Sequence, residues 1–540
     1  MLLTPITPLI TQAGRSGPGL GRPGPPQTLS EELRRLLRRN KFCMGVKRGG
    51  EYVCGGDAGE GAKDKAVGLL SEAIERIRRW RVWDDWWIIE WMDEWLERRD
   101  RLEVQLRGRY SEEVINDLLG MVNKFIGYNE RFLNYWRSVG DEVRRLIDDL
   151  MSGRVEVIIW EGEKGISVYY EHVTLEAHRT STGGVTVQLV LNGLEGMTIE
   201  VPNIFIKTMS EKEYRKFVND VLRALKGGFE ETDGFIEKGH AAMTTTQIWQ
   251  VIAWALLYPG ENYVHVDAIN VNENDVTIEW HLKSNGHKSI KGKLLNNVDK
   301  LSKEELPALM FTAILGDGYA DVVKLVINGR VYDKAVIKIT MSGKKLDTWE
   351  PLLERLKGMG FGWRPYPVGG AVDVRFYDGN AIDLARAMIN ALPPILKDIF
   401  DALSFEKWLS LRRIAEMEVK WRSGEMQIIV VGYKFSVSIL KGTVVLVHKA
   451  KDDAEVKIIV NALRARYGDE FVKYVRVNKS GKYLAVKIPM YVFERYEDIK
   501  SQVIEVLCRK LEKTKDEKKR QIIIKHLKRL TTPTKGAPRP

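Results

Sequence analysis

The sequence predicts a multidomain α+β protein, in which a helical and antiparallel-β N-terminal part is followed by two αββαββα units, the second degenerate. Three observations predict this class. Apolar residues recur at helical spacing from residue 64 to 150, and the spacing changes to a period of two from 155 to 206. Helical and alternating segments then follow in the order αββαββα from 301 to 404, and again from 405 to 510. A chain of 540 residues is long enough for about three or four domains.

Composition indicates a globular, charge-rich chain. Apolar residues make up 44% and charged residues 29%, with a net charge of +11 and a pI near 9.2. This positive excess is compatible with a polyanionic partner, and charge-rich composition is also typical of hyperthermophile proteins. No run of 18 apolar residues occurs, so we expect no transmembrane helix and no membrane partner. The N-terminus lacks the basic start of a signal peptide, which predicts a cytoplasmic location.

Two segments precede the β-rich part. Residues 1–29 are rich in Pro and Gly and are predicted to be disordered, whereas residues 30–150 form a helical Trp-rich region. Five tryptophans recur there at steps of three and four, which predicts one helix face: Trp80, Trp83, Trp87, Trp91 and Trp95. Such a stripe either stacks on nucleic-acid bases or packs against other helices. The interleaved acids would repel phosphate, so we favour packing.

Cys43 and Cys54 flank a predicted hairpin turn. A disulfide between them and a pair of buried thiols are both compatible with the sequence, and we favour the thiols. No Cys/His set has the spacing of zinc ligands.

Residues 151–300 are predicted to form an α+β domain with antiparallel strands, because glycines separate the period-two segments as turns. A helix begins at Ser210, with Glu213 completing a capping box, and the pair Gly227-Gly228 is expected to end it. Four histidines without metal-ligand spacing are interpreted as ordinary surface or core residues: His240, His265, His281 and His287.

The unit at 301–404 begins with an apolar helix that ends in a carboxylate. Thr312 and Gly316 lie one turn apart on one face, so a second helix can approach it closely. Asp317 follows at the helix tip, and Gly318 stops the helix. If the partner helix ends in the same way, two carboxylates come together, which suits a divalent cation with oxygen ligands.

The rest of this unit alternates strands and helices. The pair Asn328-Gly329 predicts a tight hairpin between the first two strands. A helix over 347–359 separates them from the second strand pair. Two final helices are predicted over 380–392 and 394–403, and the turn Pro394–Lys397 stands at the start of the second.

The motif helix, the strand order and this turn resemble the LAGLIDADG homing endonucleases. The overall layout, with the segment 244–249, is also similar to the PaRep-type repeat proteins of hyperthermophilic archaea, which implies a mobile-element association. The LAGLIDADG resemblance implies that Asp317 is a metal-binding catalytic acid, that Lys397 is a catalytic-site lysine, and that Mg²⁺ is the cofactor. It further implies that strand faces bind double-stranded DNA.

Six basic residues occupy predicted outward strand positions: Lys324, Arg330, Lys334, Lys338, Arg364 and Arg375. They are candidate DNA contacts, and an ordinary solvated sheet face is an equal alternative. Residues 405–510 are predicted to be a degenerate second unit, since basic residues stand where its acid belongs. A shift of Glu416 or Glu418, or a homodimer through the Asp317 helix, would supply that acid. Residues 511–540 form a basic tail.

The sequence therefore predicts a LAGLIDADG-like DNA-binding protein whose nuclease activity is impaired by the missing acid. Two alternatives stay open. One is an active metal-dependent DNA endonuclease, and the other is a structural or interaction protein that does not bind DNA.

Overall fold

A computed structural model describes residues 31–48, 51–180, 183–327, 330–419, 426–440, 442–481, 483–514 and 516–532. The predicted disorder of 1–29, the Asn328-Gly329 turn and the basic residues at 420–422 lie outside the described residues. The chain divides into two compact units. Unit one is Met1–Gly316 with Leu392–Phe405, and unit two is Asp317–Ala391 with Glu406–Pro540. Both combine helices with sheets, so the α+β class is confirmed.

The helices of unit one are α1 (Glu31–Leu37), α2 (Glu60–Trp80), α3 (Trp86–Leu106), α4 (Glu112–Ser152), α5 (Ile204–Thr208), α6 (Glu211–Phe217), α7 (Arg223–Glu231), α8 (Ile248–Leu257), α9 (Glu305–Leu315) and, numbered in chain order, α12 (Pro394–Leu403). A π-helical turn, Val218–Leu222, joins α6 to α7. The predicted capping box at Ser210 is present, with Glu213 as its acid. The prediction that Gly227-Gly228 ends this helix is wrong, because α7 continues past the pair to Glu231.

The tryptophan stripe spans two helices rather than one. Trp80 ends α2, because Arg81 takes the left-handed conformation (φ 45°). Trp87 and Trp95 lie on α3 and are buried. Trp95 stacks on Phe125 of α4 with 5.4 Å between ring centroids. The packing interpretation of these residues is therefore confirmed, although the single helix face is wrong.

The strands of unit one are β1 (Lys41–Arg48), β2 (Glu51–Asp57), β3 (Glu156–Ile159), β4 (Gly165–Tyr169), β5 (Val173–Arg179), β6 (Val185–Leu191), β7 (Met197–Val201), β8 (Gly234–Glu237), β9 (His240–Thr245), β10 (Gly260–Val271) and β11 (Val276–Lys288). They form one sheet in the order β2-β1-β3-β4-β5-β6-β10-β11-β9-β8, with β7 on β10. The sheet is antiparallel except between β1 and β3. A disulfide joins Cys43 of β1 to Cys54 of β2, contrary to the favoured thiols.

The described strands of unit two form two separate sheets. Its strands are β12 (Gly318–Ile327), β13 (Arg330–Ser342), β14 (Trp363–Val368), β15 (Ala371–Tyr377), β16 (Gln427–Val430), β17 (Tyr433–Ile439), β18 (Val444–Ala450), β19 (Arg476–Ser480) and β20 (Tyr483–Pro489). Its helices are α10 (Gly343–Gly358), α11 (Gly379–Ala391), α13 (Glu406–Glu416), α14 (Asp453–Tyr467), α15 (Asp469–Val472), α16 (Met490–Phe493), α17 (Glu497–Lys513) and α18 (Glu517–Thr531). Part of the predicted basic tail is thus helical.

One strand order occurs three times along the chain. The predicted unit at 301–404 has the order β12-β13-β15-β14, in which the second and fourth strands are central. The predicted degenerate copy has the same order, β17-β18-β20-β19, with β16 added at its edge. The strands β8, β9, β10 and β11 pair in this order as well, with α8 in the middle and α7 in front. The sequence interpretation missed this first copy, at 223–288.

Among the described residues, no helix combines the length and the apolar character needed to cross a bilayer.

Candidate active site and nucleic-acid interface

Helices α7 and α9 pack against each other within unit one, almost backbone to backbone. A Cβ atom added at Gly228 of α7 would collide with the Leu309 carbonyl oxygen and the Thr312 Oγ1 of α9. Glycine is therefore required at this crossing. Every residue of α9 from Glu305 to Leu315 is buried. The predicted helix partner of the Asp317 motif is thus α7 of the same chain.

Polar contacts fix the pair at both ends. Thr312 donates its hydroxyl across the interface to the Leu225 carbonyl at 2.8 Å. At the start of α9, Arg223 donates to the buried Glu305 carboxylate at 2.5 Å. Ser302 and Glu305 bond reciprocally just before α9, because Glu305 accepts from the Ser302 amide at 2.7 Å and its own amide donates to Ser302 Oγ at 3.1 Å.

An acid follows each of these two helices. Asp233 comes two residues after α7, and its Oδ2 would lie 2.9 Å from a Cβ built on Gly316, the residue that ends α9. Gln250 of α8 donates to the same Asp233 oxygen and so orients the carboxylate. The chain continues from Gly316 directly into Asp317. Within unit two, Lys345 donates to Asp317 Oδ2 at 3.2 Å.

A sequence signal for Asp233 exists. The spacing from Gly228 to Asp233-Gly234 equals the spacing from Thr312 to Asp317-Gly318. The signal is weak because α7 is not uniformly apolar and because its glycine pair is typical of a helix end.

The polar residues of α7 have structural partners. The buried Glu230 carboxylate accepts from the Tyr258 hydroxyl at 2.8 Å, from Ser289 Oγ at 2.6 Å, and from the amides of Ile290 and Lys291. Burial and this carboxylate raise the pKa of Tyr258 well above its usual value. A saturated carboxylate of this kind holds a loop and is not available to a metal.

Lys397 is half-buried on α12 in unit one, whereas Asp317 belongs to unit two. The adjacent Asp398 accepts from Arg109 at 2.8 Å and from the Tyr110 hydroxyl at 2.7 Å, which fixes α12 near the end of α3. A catalytic role for Lys397 stays a prediction.

The sheet β12–β15 has one apolar face and one open face. Ala335, Ile337 and Ile339 are buried on the apolar side, and the alternate residues of β13 point to the other side. On that open face, one row crosses all four strands as Tyr319, Lys338, Arg375 and Arg364. Three of the six predicted contacts thus share one row of this face, and their binding of DNA stays a prediction.

The cations of this face are held in place by aromatic and acidic neighbours. Arg375 lies 4.0 Å above the Tyr366 ring, and Lys334 lies 4.0 Å above the Tyr377 ring. Lys338 and Arg375 both bind the buried Asp373, at 3.2 and 2.7 Å. Although burial opposes ionisation, the hydrogen bonds from Thr340, Arg375 and Lys338 hold the pKa of Asp373 below its usual value.

Two predicted contacts differ from the others. Lys324 pairs with Asp333, so the alternation of β12 and β13 places it on the face opposite Lys334 and Lys338. Arg330 is the first residue of β13 and its side chain lies outside the described residues. Arg364 is exposed, as a phosphate contact requires.

A second cationic face lies on the sheet β16–β20. The register places four basic residues on its open side, away from the apolar core: Lys434, Lys449, Arg476 and Lys487. Ser436 and Asn478 share that side, and no acid occupies a position on this face among the described strand residues. This face is therefore uniformly positive or neutral.

No family model and no curated protein match the chain. Among solved structures, a LAGLIDADG meganuclease, I-AabMI, bound to uncleaved DNA is similar over 40% of this chain and 94% of that chain, with 12% identity and a TM-score of 0.13. A likeness with so low a TM-score carries no argument about this chain. None of these comparisons supports the resemblance to the PaRep-type proteins.

Proposed function

We propose that this chain is a LAGLIDADG-like protein that binds double-stranded DNA and hydrolyses a phosphodiester bond with a divalent cation. The observation that carries the proposal is the close pair of α7 and α9, each followed by an acid, Asp233 and Asp317. Asp233 is therefore our candidate for the second acid that the sequence interpretation lacked. The homodimer through α9 is no longer needed, because α9 is buried against α7 of its own chain.

The donor set suits Mg²⁺ in kind, since hard cations prefer carboxylate oxygens. When bound, such an ion supplies Lewis-acid stabilisation of the charge that develops on the phosphate. Gln250 donates to Asp233 Oδ2 and so orients this carboxylate. Lys345 holds an Asp317 oxygen, so this lysine would have to move away from a metal-binding Asp317. Lys397 remains the candidate for stabilising the phosphate.

DNA binding is supported by the open sheet faces. The contact with Asp373 and the tyrosine rings restrains Lys338 and Arg375, so less side-chain entropy is lost when they bind DNA. Planar guanidinium groups such as Arg375 and Arg364 suit bidentate contacts with phosphates or guanine edges.

One observation favours a second candidate function, DNA binding without cleavage. The Lys345 ammonium already neutralises Asp317, at 3.2 Å and with both side chains only about one third exposed. In that case Asp317 would be a structural partner of α10 and not a metal ligand.

Cleavage of a duplex library in Mg²⁺ tests the proposal. We expect cleavage to be lost in Asp233→Asn and in Asp317→Asn, with DNA affinity kept within a few fold. The matched control is Asp347→Asn, which changes an exposed acid on α10. If the unchanged protein binds DNA but does not cleave it, the second candidate is supported. If both variants still cleave DNA, the proposal that Asp233 and Asp317 are the catalytic acids is refuted.

A further inference from the structure

A surface cavity of about 490 Å³ lies in unit one, beside the start of α7. The π-helical turn Val218–Leu222 forms one wall, and Lys226 of α7 and His287 of β11 form another. Arg223 and Lys288 also line it. The volume falls in the range of small-molecule sites, which is about 300–1,000 Å³. Single π-helical turns frequently occur at functional sites.

The Lys226 side chain is mostly buried and contacts two rings. Its Nζ lies 3.2 Å from His287 Nδ1 and 4.8 Å from the centroid of the Tyr258 ring. His287 Nε2 lies 2.8 Å from the Pro259 carbonyl oxygen, to which it must donate. Nδ1 of the neutral ring is then an acceptor, and the Lys226 ammonium donates to it. Burial lowers the pKa of Lys226 to about 8.

The nearest acid does not satisfy this ammonium. Glu230, one turn along α7, also lines the cavity, but its oxygens accept from Tyr258, Ser289, Ile290 and Lys291. Within the described part of the chain, Lys226 forms no ion pair within 4.0 Å, so its burial is compensated by the ring contacts and by the more distant charge of Glu230. A mostly buried ammonium gains further stabilisation from a ligand that brings an anionic oxygen into direct contact with it.

The remaining charges of the cavity are mixed. Arg223 is paired with Glu305, whereas Lys288 is exposed and lies 3.4 Å from a ring nitrogen of His240. Asp220 of the π-helical turn is the other acid of the lining. A ligand therefore meets Lys226, His287 and Lys288 on one part of the wall, and Asp220 on another.

We propose that this cavity binds a small phosphorylated ligand, with the phosphate on Lys226 and Lys288 and the rest of the ligand against the π-helical turn. The phosphate supplies the direct anionic contact that Lys226 lacks, and Asp220 accepts a hydroxyl or amine hydrogen of the ligand. This site involves neither Asp233 nor the cationic sheet faces, so it is independent of DNA binding.

Pyrophosphate is the probe for the test. Isothermal titration calorimetry should show one site in the full chain, weakened about ten-fold or more in Lys226→Met, the loss expected for one charge-assisted hydrogen bond. Lys212→Met changes an exposed lysine on α6 and should leave binding unchanged. Arg364→Gln on the sheet β12–β15 should weaken DNA binding but not pyrophosphate binding.

A second measurement covers the case in which Lys226→Met does not fold. An amine-reactive label followed by peptide mass spectrometry reports each lysine of the unchanged protein. Pyrophosphate should slow labelling of Lys226 several fold, without slowing that of Lys212. Equal protection of both lysines, or no protection of Lys226, would overturn the proposal.

Discussion

Gly228→Ala is the sharpest test of the α7–α9 pair. The added methyl group collides with the Leu309 carbonyl oxygen and the Thr312 Oγ1. The third-nearest atom, the Ala313 backbone nitrogen, lies 3.0 Å from it. Two of these three atoms belong to the backbone of a fully buried helix, so they cannot swing away as a flexible side chain would. The two helices must therefore move apart.

The magnitude follows from three effects. Overpacking of a close contact costs about 1–3 kcal/mol. Losing the Thr312 hydroxyl bond to the Leu225 carbonyl costs about 1 kcal/mol more. Alanine regains up to about 1 kcal/mol in helix propensity over glycine. We therefore expect the free energy of unfolding of this pair to fall by about 1–3 kcal/mol.

Hydrogen exchange of peptides from α7 and α9, followed through urea, is the assay, because a two-unit chain does not unfold in one step. The control is Gly120→Ala on α4, where an added Cβ meets nothing within 4 Å. That variant should gain about 0.5–1 kcal/mol from helix propensity alone. If both variants gave the same exchange protection in α7 and α9, the close approach of the helices would be refuted.

Three further predictions follow from the described contacts. Because the folded pKa of Asp373 is depressed, its contribution to stability is present above the unfolded value of about 4 and is lost as pH falls through the folded pKa. Asp373→Asn should flatten the acid limb of the stability profile between about pH 5 and 2, and an unchanged limb would contradict this. Replacing the four cations of the sheet β16–β20 by Gln (Lys434, Lys449, Arg476 and Lys487) should reduce the slope of log affinity for duplex DNA against log salt by about 3 to 4. An unchanged slope would show that this face does not contact phosphate, and Lys518→Gln on α18 is the control. Trp95→Ala should cost unit one about 3–5 kcal/mol, since Trp95 is fully buried against Phe125. Thermal unfolding is the measurement, and Trp86→Ala, at a half-buried position, should lower the stability of unit one less than Trp95→Ala does.

Local patterns in the sequence determined much of the fold. The period of two predicted the strands of the sheet β12–β15, and the capping box at Ser210 marked a helix start that the structure has. The small residues of α9 correctly indicated that a second helix lies close to it. These features depend on neighbours a few residues away, which is why the sequence alone carries them.

Contacts between distant residues decided the rest. The partner of α9 is α7, which contains the charged residue Glu230 and therefore differs in composition from the apolar α9. Glu230 can be buried in α7 only because it accepts hydrogen bonds from a loop sixty residues away. The pairing register, which the spacing of strands does not reveal, separated Lys324 from the other cations. A left-handed Arg81 divided the tryptophan stripe, and the hairpin brought Cys43 to Cys54. Each outcome rests on non-local packing, whose free energy is set by surfaces that exist only in the folded chain.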